Sequence, residues 1–522
     1  MKILNNKIIK YTLWGIFILM PILVGIFSAV LSNTSLLKMD EWFTSINDEV
    51  GYYRTVQQIR TNGLVPIGMR CYNEAEALSG VPSWGVYTVF TYLPYVFFSF
   101  FTGISSHNFM VYCNILMMVL ANVVVVFLLK PNTMRTFTLC VFLLSQFTLS
   151  DYIWSGMTEC SHVMMSIIVI VITLWLMNED RINIAAWKVN LALVMQIIII
   201  IFYGLIRPFE FGYIIFPMIY ILSSPKKKKN KIILSTVLVL LSVAMFKIYM
   251  YVNQFYCSKY FDSQGVLTQQ YKSLIANGDF RMILENILNS NKQGISKIMS
   301  WIENNKLKGL MMIQLLIVMI LLISLFAAKC KKGGVYKKKY MIIGIVLAVV
   351  TIYEATVILY TTANIHRMML AIFIGMSYFL ILEADILENA VILLVSVLFL
   401  GYFWIFGPLD ALVLPQTEES INTEEVQQSL HEAFSFIEGE EGWEVTLARK
   451  PRSKNLWLNY CLPNSIAVSP CTNSFICDGI KNDTLKSRFV WATDETEVYA
   501  ICEEYQYEAI WGGYGYTIFK RW

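Results

Sequence analysis

The stretch Phe109–Leu129, FMVYCNILMMVLANVVVVFLL, runs for twenty-one residues without one charged side chain. An α-helix rises about 1.5 Å per residue, so a run of this length crosses the roughly 30 Å hydrocarbon core of a bilayer. Eleven further apolar runs follow this pattern: Tyr11–Leu31, Val86–Phe101, Thr136–Leu149, His162–Met177, Leu191–Ile206, Phe211–Leu222, Ile232–Val252, Leu310–Ala328, Met341–Tyr360, Met368–Leu382 and Ala390–Phe406. The sequence therefore predicts a polytopic α-helical membrane protein.

The composition agrees with this prediction. The 522 residues are 56% hydrophobic and only 15% charged, whereas soluble chains average about 25% charged residues. Basic residues mark the cytoplasmic ends of membrane helices. The lysine-rich segments 226–231 and 329–339 are therefore expected inside, and the basic residues before the first run place the N-terminus in the cytoplasm. The loops 32–85 and 253–309 are then expected outside.

One run does not fit this count. Lys10 and Lys130 are both expected inside, yet three apolar runs separate them, and only an even number of crossings returns a chain to the same side. Val86–Phe101, which has Pro94 in its middle, is expected to be re-entrant or to lie along the interface. We expect about eleven crossings from twelve apolar runs.

The charge composition of the chain changes near residue 414. From Pro415 onward, nine basic residues face seventeen acidic ones, against 32 basic and 20 acidic before it. We predict a transmembrane domain over 1–413 and a small extracytoplasmic α+β domain over 414–522. Its expected elements are a helix over Thr423–Ile437 with Asn422 as N-cap, strands at Trp443–Leu447 and Thr496–Cys502, and a terminal hairpin over Ala509–Phe519.

Several classes of function are excluded by missing motifs. The sequence has no P-loop, no GxGxxG and no kinase signature, so neither a nucleotide-driven mechanism nor a nucleic-acid partner is expected. The ten cysteines form no CxxC pair, so no zinc site is indicated. Four of them, in the acidic tail, permit disulfides or stay as buried thiols, and the sequence leaves both open: Cys461, Cys471, Cys477 and Cys502.

The first outer loop carries an acidic pair, Asp48-Glu49, followed by Tyr52 and Tyr53. A carboxylate partly desolvated by aromatic rings at a membrane surface can act as general base toward a hydroxyl group. Its acidic neighbour can orient it, share a divalent cation or raise its pKa by charge repulsion. The alternative is an ordinary solvated pair. A second pair, Asp40-Glu41, lies nearby but lacks the two tyrosines.

Further ionisable residues stand at the predicted outer ends of apolar runs. Glu159 lies three positions before His162, so the two share a helix face. An ionisable group at the mouth of a membrane helix is costly unless it is wet or paired. Arg207, His366 and Arg367 are expected to face outside, where arginine suits phosphate through bidentate hydrogen bonds. The alternative for each is contact with lipid headgroups. Glu354 is expected to face protein or a wet cavity.

Together these features resemble the GT-C superfamily of integral-membrane glycosyltransferases, such as protein O-mannosyltransferases and the aminoarabinose transferases of lipid A. The resemblance rests on the anchor and the long first outer loop with Asp48-Glu49. It is supported by Pro82-Ser83-Trp84, Phe101-Thr102-Gly103, the outer acid Glu159 and the late pair His366-Arg367. The step before Trp84 departs from the family, because only Val81-Pro82 stands where some branches have Pro-Pro. The acceptor class therefore stays open.

The resemblance implies an inverting transfer of a sugar from a polyprenyl-phosphate donor to a glycan, lipid or protein acceptor of the cell envelope. Asp48 would be the general base, and Glu49 would orient the acceptor or share a divalent cation, the only cofactor expected. The leaving phosphate would be stabilised by Arg367 with Arg207. The residues expected to line the substrate site are Tyr52, Tyr53, Glu159, Arg207, His366 and Arg367.

Two alternatives stay open. A polymerase or ligase of lipid-linked glycans also pairs many helices with a large outer loop, and it would favour outer arginines as its working groups. A non-enzymatic transporter or flippase of envelope precursors would carry broken or charged helices at the midplane and repeat symmetry between its halves. Glu354 fits that picture, but no internal repeat is present.

Overall fold

The structure is a computed structural model, and it describes residues 7–31, 47–64, 89–104, 108–178, 184–224, 227–256, 271, 273–304, 307–331, 339–359, 365–406, 423–435, 444–448, 458–463, 466–471, 473–485, 487–494 and 496–521. Several sequence features lie outside these residues: Asp40-Glu41, Pro82-Ser83-Trp84 and the expected N-cap Asn422.

All twelve apolar runs contain helix. The helices up to the acidic tail are α1 (Lys7–Ile18), α2 (Met20–Leu31), α3 (Asn47–Asn62), α4 (Leu93–Thr102), α5 (Phe109–Leu129), α6 (Thr133–Leu144), α7 (Phe147–Ile153), α8 (Glu159–Leu176), α9 (Ala186–Ile206), α10 (Ile215–Ser223), α11 (Lys228–Tyr256), α12 (Phe280–Glu303), α13 (Leu307–Lys331), α14 (Lys339–Leu359), α15 (Ile365–Glu383) and α16 (Ile386–Phe406). Short 3₁₀ helices at Val89–Thr91 and Pro208–Ile214 precede α4 and α10.

The chain is a polytopic helical membrane protein. Within the described ranges, seven helices are long and apolar enough to cross a bilayer, and nine spans result if each of two bent pairs counts as one. The bent pairs are α1 with α2, at 66°, and α6 with α7, at 74°. Three shorter apolar helical segments, at Val89–Thr102, Pro208–Ser223 and Ile386–Tyr402, complete the twelve predicted runs. Val86–Phe101, expected not to cross, is one of these short segments.

The centre of the bundle is formed by α5, α8 and α15. In α15, 94% of the most apolar window is buried within the protein, against 17% in the peripheral α11. Helices α8 and α15 approach closely at Gly375, where an added Cβ would lie 2.3 Å from Oγ of Ser166. The first turns of α8 and α15 carry charged residues. The packing of these two helices brings the charged residues together.

The acidic tail folds into helices around one sheet. Its elements are α17 (Thr423–Ala433), β1 (Glu444–Ala448), α18 (Leu458–Cys461), β2 (Ala467–Cys471), α19 (Asn473–Lys481), β3 (Phe489–Thr493), α20 (Glu497–Glu504), β4 (Glu508–Gly513) and β5 (Tyr516–Lys520). The strand order is β2-β1-β3-β5-β4. Strand β1 pairs in parallel with β2 and β3, whereas β5 pairs antiparallel with β3 and β4. The first strand and the terminal hairpin are as predicted.

One predicted strand of the tail is wrong, because residues Thr496–Cys502 belong to helix α20. Thr496 is its N-cap, and its hydroxyl accepts a hydrogen bond from the amide of Tyr499 at 3.4 Å. Val498, Ile501 and Cys502 are all buried. The spacing of these three residues, i, i+3 and i+4, is that of a helix with one buried face. The N-cap threonine was the signal that a strand reading overlooked.

The question of disulfides is answered for three of the four tail cysteines. Cys461, Cys477 and Cys502 are buried free thiols. Burial raises the pKa of Cys461 and of Cys502 to about 12, because the apolar surroundings disfavour the thiolate. The side chain of Cys471 lies outside the described residues.

Candidate active site

The acidic pair lies in the first turn of α3, the helix between α2 and α4. Asp48 is the second residue of this helix, and its side chain lies outside the described residues. The carboxylate of Glu49 is fully buried. An added Cβ on Gly156 would lie 3.2 Å from Cβ and 3.7 Å from Oε2 of Glu49. The acidic turn therefore packs directly on the backbone that leads into α8, and a side chain at position 156 would displace Glu49 by a few tenths of an ångström.

The segment between α7 and α8 is held by one buried amide. Nδ2 of Asn114 donates to the carbonyl oxygens of Ser155 at 2.8 Å and Met157 at 3.1 Å. Oδ1 of the same residue accepts from the hydroxyl of Tyr95 at 2.7 Å. Asn114 is fully buried in α5. Because buried polar groups need partners, this network fixes the loop on which Glu49 rests. Neither Asn114 nor Tyr95 was singled out from the sequence.

Glu159 begins α8 and binds two arginines from distant parts of the chain. Its Oε1 accepts from Nη2 of Arg207 at 3.0 Å and from Nε of Arg367 at 2.8 Å. Arg207 directly follows α9, and Arg367 lies in the first turn of α15. All three side chains are buried. The sequence predicted these residues for one site, and the structure brings them together. Glu159 is paired with protein cations rather than facing headgroups.

A second contact joins the segment after α9 to the first turn of α8. Arg207 is followed by a 3₁₀ turn that carries Glu210, and Oε1 of Glu210 lies 2.6 Å from Nδ1 of His162. Arg207 and Glu210 are three residues apart, as are Glu159 and His162. The turn is therefore clamped to the first turn of α8 by two contacts of opposite polarity. Glu210 was missed from the sequence, where the only signal was an acid two residues after an Arg-Pro step at the end of an apolar run.

His366 stands one residue before Arg367 but contacts other partners. Its Nε2 lies at 3.3 Å from the hydroxyl of Tyr152, which belongs to α7. The ring of Trp301 meets the imidazole edge to face, with 5.3 Å between ring centroids. His366 thus connects the start of α15 to α7 and to the end of α12, and it braces the turn that carries Arg367.

The side chains of Tyr52 and Tyr53 are buried and pack against other aromatic rings. The ring of Tyr52 lies 6.2 Å from that of Tyr92, and the ring of Tyr53 lies 4.7 Å from that of Tyr460 in α18. The hydroxyl of Tyr53 accepts from Nε2 of Gln57 at 2.6 Å, and burial raises the pKa of Tyr53 to about 12. Their expected roles in substrate binding stay predictions.

Arg54 fastens the same helix to the tail domain. Its Nη1 donates to the carbonyl oxygen of Pro463 at 2.9 Å. The guanidinium is 2% exposed, and this burial lowers the pKa of Arg54 to about 10. Arg54 and Tyr53 together form a seam with the segment 458–463. The helix that bears the acidic pair is thus positioned by the tail domain on one side and by Gly156 on the other.

The two guanidinium groups of the cluster, those of Arg207 and Arg367, both contact Oε1 of Glu159. Arginine binds phosphate through charge-assisted hydrogen bonds that strengthen in a low dielectric. Within the described ranges no group of three or more His, Cys, Asp or Glu side chains could hold a metal ion, and a cation beside Asp48 stays a prediction.

The fold defines a class, the multi-pass helical membrane proteins, and solved structures are similar to this chain over most of its length. ArnT from Cupriavidus metallidurans, bound to undecaprenyl phosphate, aligns over 97% of both chains at 9% identity and a TM-score of 0.42. The Archaeoglobus fulgidus oligosaccharyltransferase aligns over 92% of this chain and 71% of its own at 10% identity and a TM-score of 0.46. No protein family and no curated protein matches the chain.

The assignments of individual residues rest on the contacts within this chain.

Proposed function

We propose that this chain is a membrane glycosyltransferase that moves a sugar from a polyprenyl-phosphate donor to a cell-envelope acceptor on the extracytoplasmic face. One observation carries the proposal. The acidic turn of α3 packs through Glu49 on Gly156, three residues before Glu159, whose carboxylate holds Arg207 and Arg367. A candidate general base and a candidate phosphate site are therefore neighbours at one end of the central helices.

In this proposal the two arginines bind the sugar donor. Arg207 and Arg367 bind the phosphate that links the sugar to the lipid, and they stabilise the negative charge that grows on it as the glycosidic bond breaks. Stabilisation of developing charge by fixed, preorganised donors is often the largest single contribution to catalysis. Glu159 keeps the two guanidinium groups fixed at all times, so that little reorganisation is needed when the donor binds.

The acidic pair serves the acceptor. Asp48 takes the proton of the acceptor hydroxyl while that oxygen attacks the anomeric carbon from the face opposite the phosphate. The bond between the anomeric carbon and the phosphate oxygen breaks in the same displacement, and polyprenyl phosphate leaves with the electron pair. The configuration at the anomeric carbon inverts. Glu49 orients the turn through its packing on Gly156.

The tail domain holds the acidic helix in place. Arg54 and Tyr53 link α3 to the segment 458–463, so an acceptor that binds the tail domain can act directly on the position of Asp48. The domain lies outside the membrane, as the charge pattern of the loops predicts.

The test uses membranes of cells that depend on this chain for their envelope glycans. Asp48→Asn is expected to abolish the glycan product and to accumulate the lipid-linked sugar, both followed by mass spectrometry. Membrane insertion of the variant is verified on the same samples. A wild-type product profile from inserted Asp48→Asn protein would overturn the catalytic assignment.

A second candidate, a polymerase or ligase of lipid-linked glycans, is favoured by the paired arginines. It differs from the first in its donor, because it transfers a whole lipid-linked glycan. Under this alternative, inserted Asp48→Asn protein retains activity, Arg367→Lys loses it, and the accumulating lipid carries a glycan chain instead of a single sugar. Mass spectrometry of the accumulated lipid separates the two.

A further inference from the structure

Helix α12, in the second large outer loop, differs in character from the helices that cross the membrane. It is 24 residues long and carries Arg281, Glu285, Lys292, Lys297 and Glu303 among its apolar residues. At about 1.5 Å per residue it is roughly 36 Å long. Its apolar residues are concentrated on part of its circumference, which is typical of helices that lie along a surface.

One side of α12 is docked on the membrane helices. Nδ2 of Asn291 donates to Oε2 of Glu354 in α14 at 2.9 Å. An added Cβ on Gly294 would lie 2.9 Å from the hydroxyl oxygen of Tyr353, so the two helices nearly touch there. At its end, Trp301 packs on His366 in the first turn of α15.

The docking contacts show how α12 lies relative to the bilayer. An added Cβ on Gly309, in the first turn of α13, would lie 2.7 Å from the carbonyl oxygen of Trp301. Helix α12 therefore touches the start of α13, the last two turns of α14 and the start of α15. These three helix ends belong to the same side of the membrane, because successive spans alternate in direction. A helix that crosses three such ends lies in the plane of the membrane surface.

The second side of α12 is an exposed apolar strip formed by Leu284, Leu288, Ile295 and Met299. Their side chains are 48–59% exposed. Their spacing of four, seven and four residues keeps them on one face beside the docked side. The third side is polar and includes Glu285, Asn289, Lys292 and Ser296, all exposed. Met282 is the one exposed apolar residue on that polar side.

We infer that α12 is an interfacial helix whose strip of Leu284, Leu288, Ile295 and Met299 is inserted in the outer leaflet of the bilayer. The occupant of the strip is lipid, because α12 lies across the ends of α13 and α14, and these two spans expose apolar side chains along their length. Leu316 and Ile320 of α13, and Leu347 and Val350 of α14, are 48–59% exposed and are among them. The polar side of α12 then faces water and headgroups, which is the arrangement of an interfacial amphipathic helix.

This inference is independent of the proposed catalytic roles, and it has a consequence for the site. Trp301 connects α12 to His366, the neighbour of Arg367 in sequence. A lipid that approaches from the outer leaflet therefore meets α12 at the level of the buried cluster.

The test places nitroxide labels on the full chain in vesicles of phosphatidylethanolamine and phosphatidylglycerol. The labelled variants are Leu288→Cys and Ile295→Cys on the strip, with Asn289→Cys and Ser296→Cys as matched neighbours on the polar side. All four positions are exposed, so the variants are expected to fold. Signals from the unsubstituted protein, labelled in parallel, are subtracted.

Collision with oxygen, which concentrates in lipid, is compared with collision with a water-soluble nickel complex. The oxygen-to-nickel ratio at positions 288 and 295 is expected to exceed that at 289 and 296 by roughly threefold or more, since the strip is expected about 5–10 Å below the surface. Equal ratios with high nickel accessibility would mean that the helix stands in water. Low accessibility to both reagents on the strip would mean that protein covers it. Either result overturns the inference.

Discussion

Arg367 donates from Nε to Oε1 of Glu159 at 2.8 Å, and this contact joins the first turns of the two most buried helices of the bundle. Both side chains are buried. A buried ion pair offsets the cost of desolvating its charges only with good geometry and further hydrogen bonds. Here Arg207 supplies a further hydrogen bond to the same oxygen.

Removing the shared carboxylate should damage both stability and activity. Glu159→Gln removes the carboxylate that two buried guanidinium groups share, and breaking a buried ion pair by removing one partner costs roughly 3–5 kcal/mol. The unfolding temperature in detergent should fall, and sugar transfer should be lost. Glu285→Gln is the control, because Glu285 pairs with Arg281 on the exposed side of α12 and such pairs contribute about 0.2–1 kcal/mol. Equal unfolding temperatures for the two variants would contradict the role of Glu159.

The geometry of Arg367 should matter beyond its charge. Arg367→Lys keeps the cation but loses the planar, forked set of donors that fits both a carboxylate and a phosphate. We expect the KM for the polyprenyl-phosphate donor to rise about tenfold or more, which corresponds to roughly 1.4 kcal/mol. The matched control is Arg281→Lys, at a side chain that is 92% exposed. An unchanged KM in Arg367→Lys would remove this residue from the phosphate site.

The contact between His162 and Glu210 should act through Arg207. Glu210→Gln, His162→Gln and the double variant form a cycle, for which we expect a coupling of about 0.5–3 kcal/mol in unfolding free energy, as for residues in direct contact. Because the pair holds the turn that carries Arg207, the single variants should also raise the KM for the donor. Additive effects on stability with an unchanged KM would show that the second contact is merely structural.

The close approach of α3 to the loop before α8 should tolerate no side chain. In Gly156→Ala the new Cβ would lie 3.2 Å from Cβ of Glu49, so the acidic turn must shift by a few tenths of an ångström. Displacing a catalytic group by about 1 Å can cost about 100-fold in rate, and a smaller loss, of about tenfold, is expected here. Gly401→Ala is the control, because nothing lies within 4 Å of the added Cβ there. The measurement compares the rates of sugar transfer by Gly156→Ala and Gly401→Ala protein that is inserted in the membrane.

The thiol of Cys461 should report on the seam between α3 and the tail domain. Its pKa is raised from 9.0 to about 12, so the folded state binds the proton more tightly than the unfolded state does. The resulting stabilisation is fully present below pH 9 and is lost as the pH rises toward about 12. At pH 8 maleimide should modify Cys461 only after denaturation. Arg54→Gln, which removes the contact with Pro463, should accelerate the modification. Rapid modification of the native protein at pH 8 would contradict the seam.

The sequence reveals the helices and much of the candidate site for a physical reason. Apolar runs near twenty residues and single charged residues at their ends are local signals, and Glu159, Arg207 and Arg367 were all recognisable as costly residues at the ends of membrane helices. The packing of α8, α9 and α15 brings these three residues into contact. No local sequence pattern encodes that packing. Glu210 was overlooked because it follows a proline in an aromatic segment, where nothing marks it as a partner of His162.

The misplaced strand at Thr496–Cys502 has a different cause. Over seven residues a β-strand and a short helix are hard to tell apart, and here the N-cap Thr496 and the spacing of Val498, Ile501 and Cys502 both indicate the helix. The two bent helix pairs were likewise hidden, because an apolar run of suitable length has the same composition whether it is straight or broken near Leu19 or Ser145.

The contact of Glu159 with its two arginines sets an order of events during synthesis. Arg207 follows Glu159 by 48 residues and Arg367 by 208. At about 5–20 residues per second, Arg207 is made within roughly 10 s of Glu159 and Arg367 only after roughly 10–40 s. The growing chain can therefore insert a neutral Glu159–Arg207 pair early. The second guanidinium group arrives only with α15, so a chain released before residue 367 lacks the contact that joins the first turns of α8 and α15.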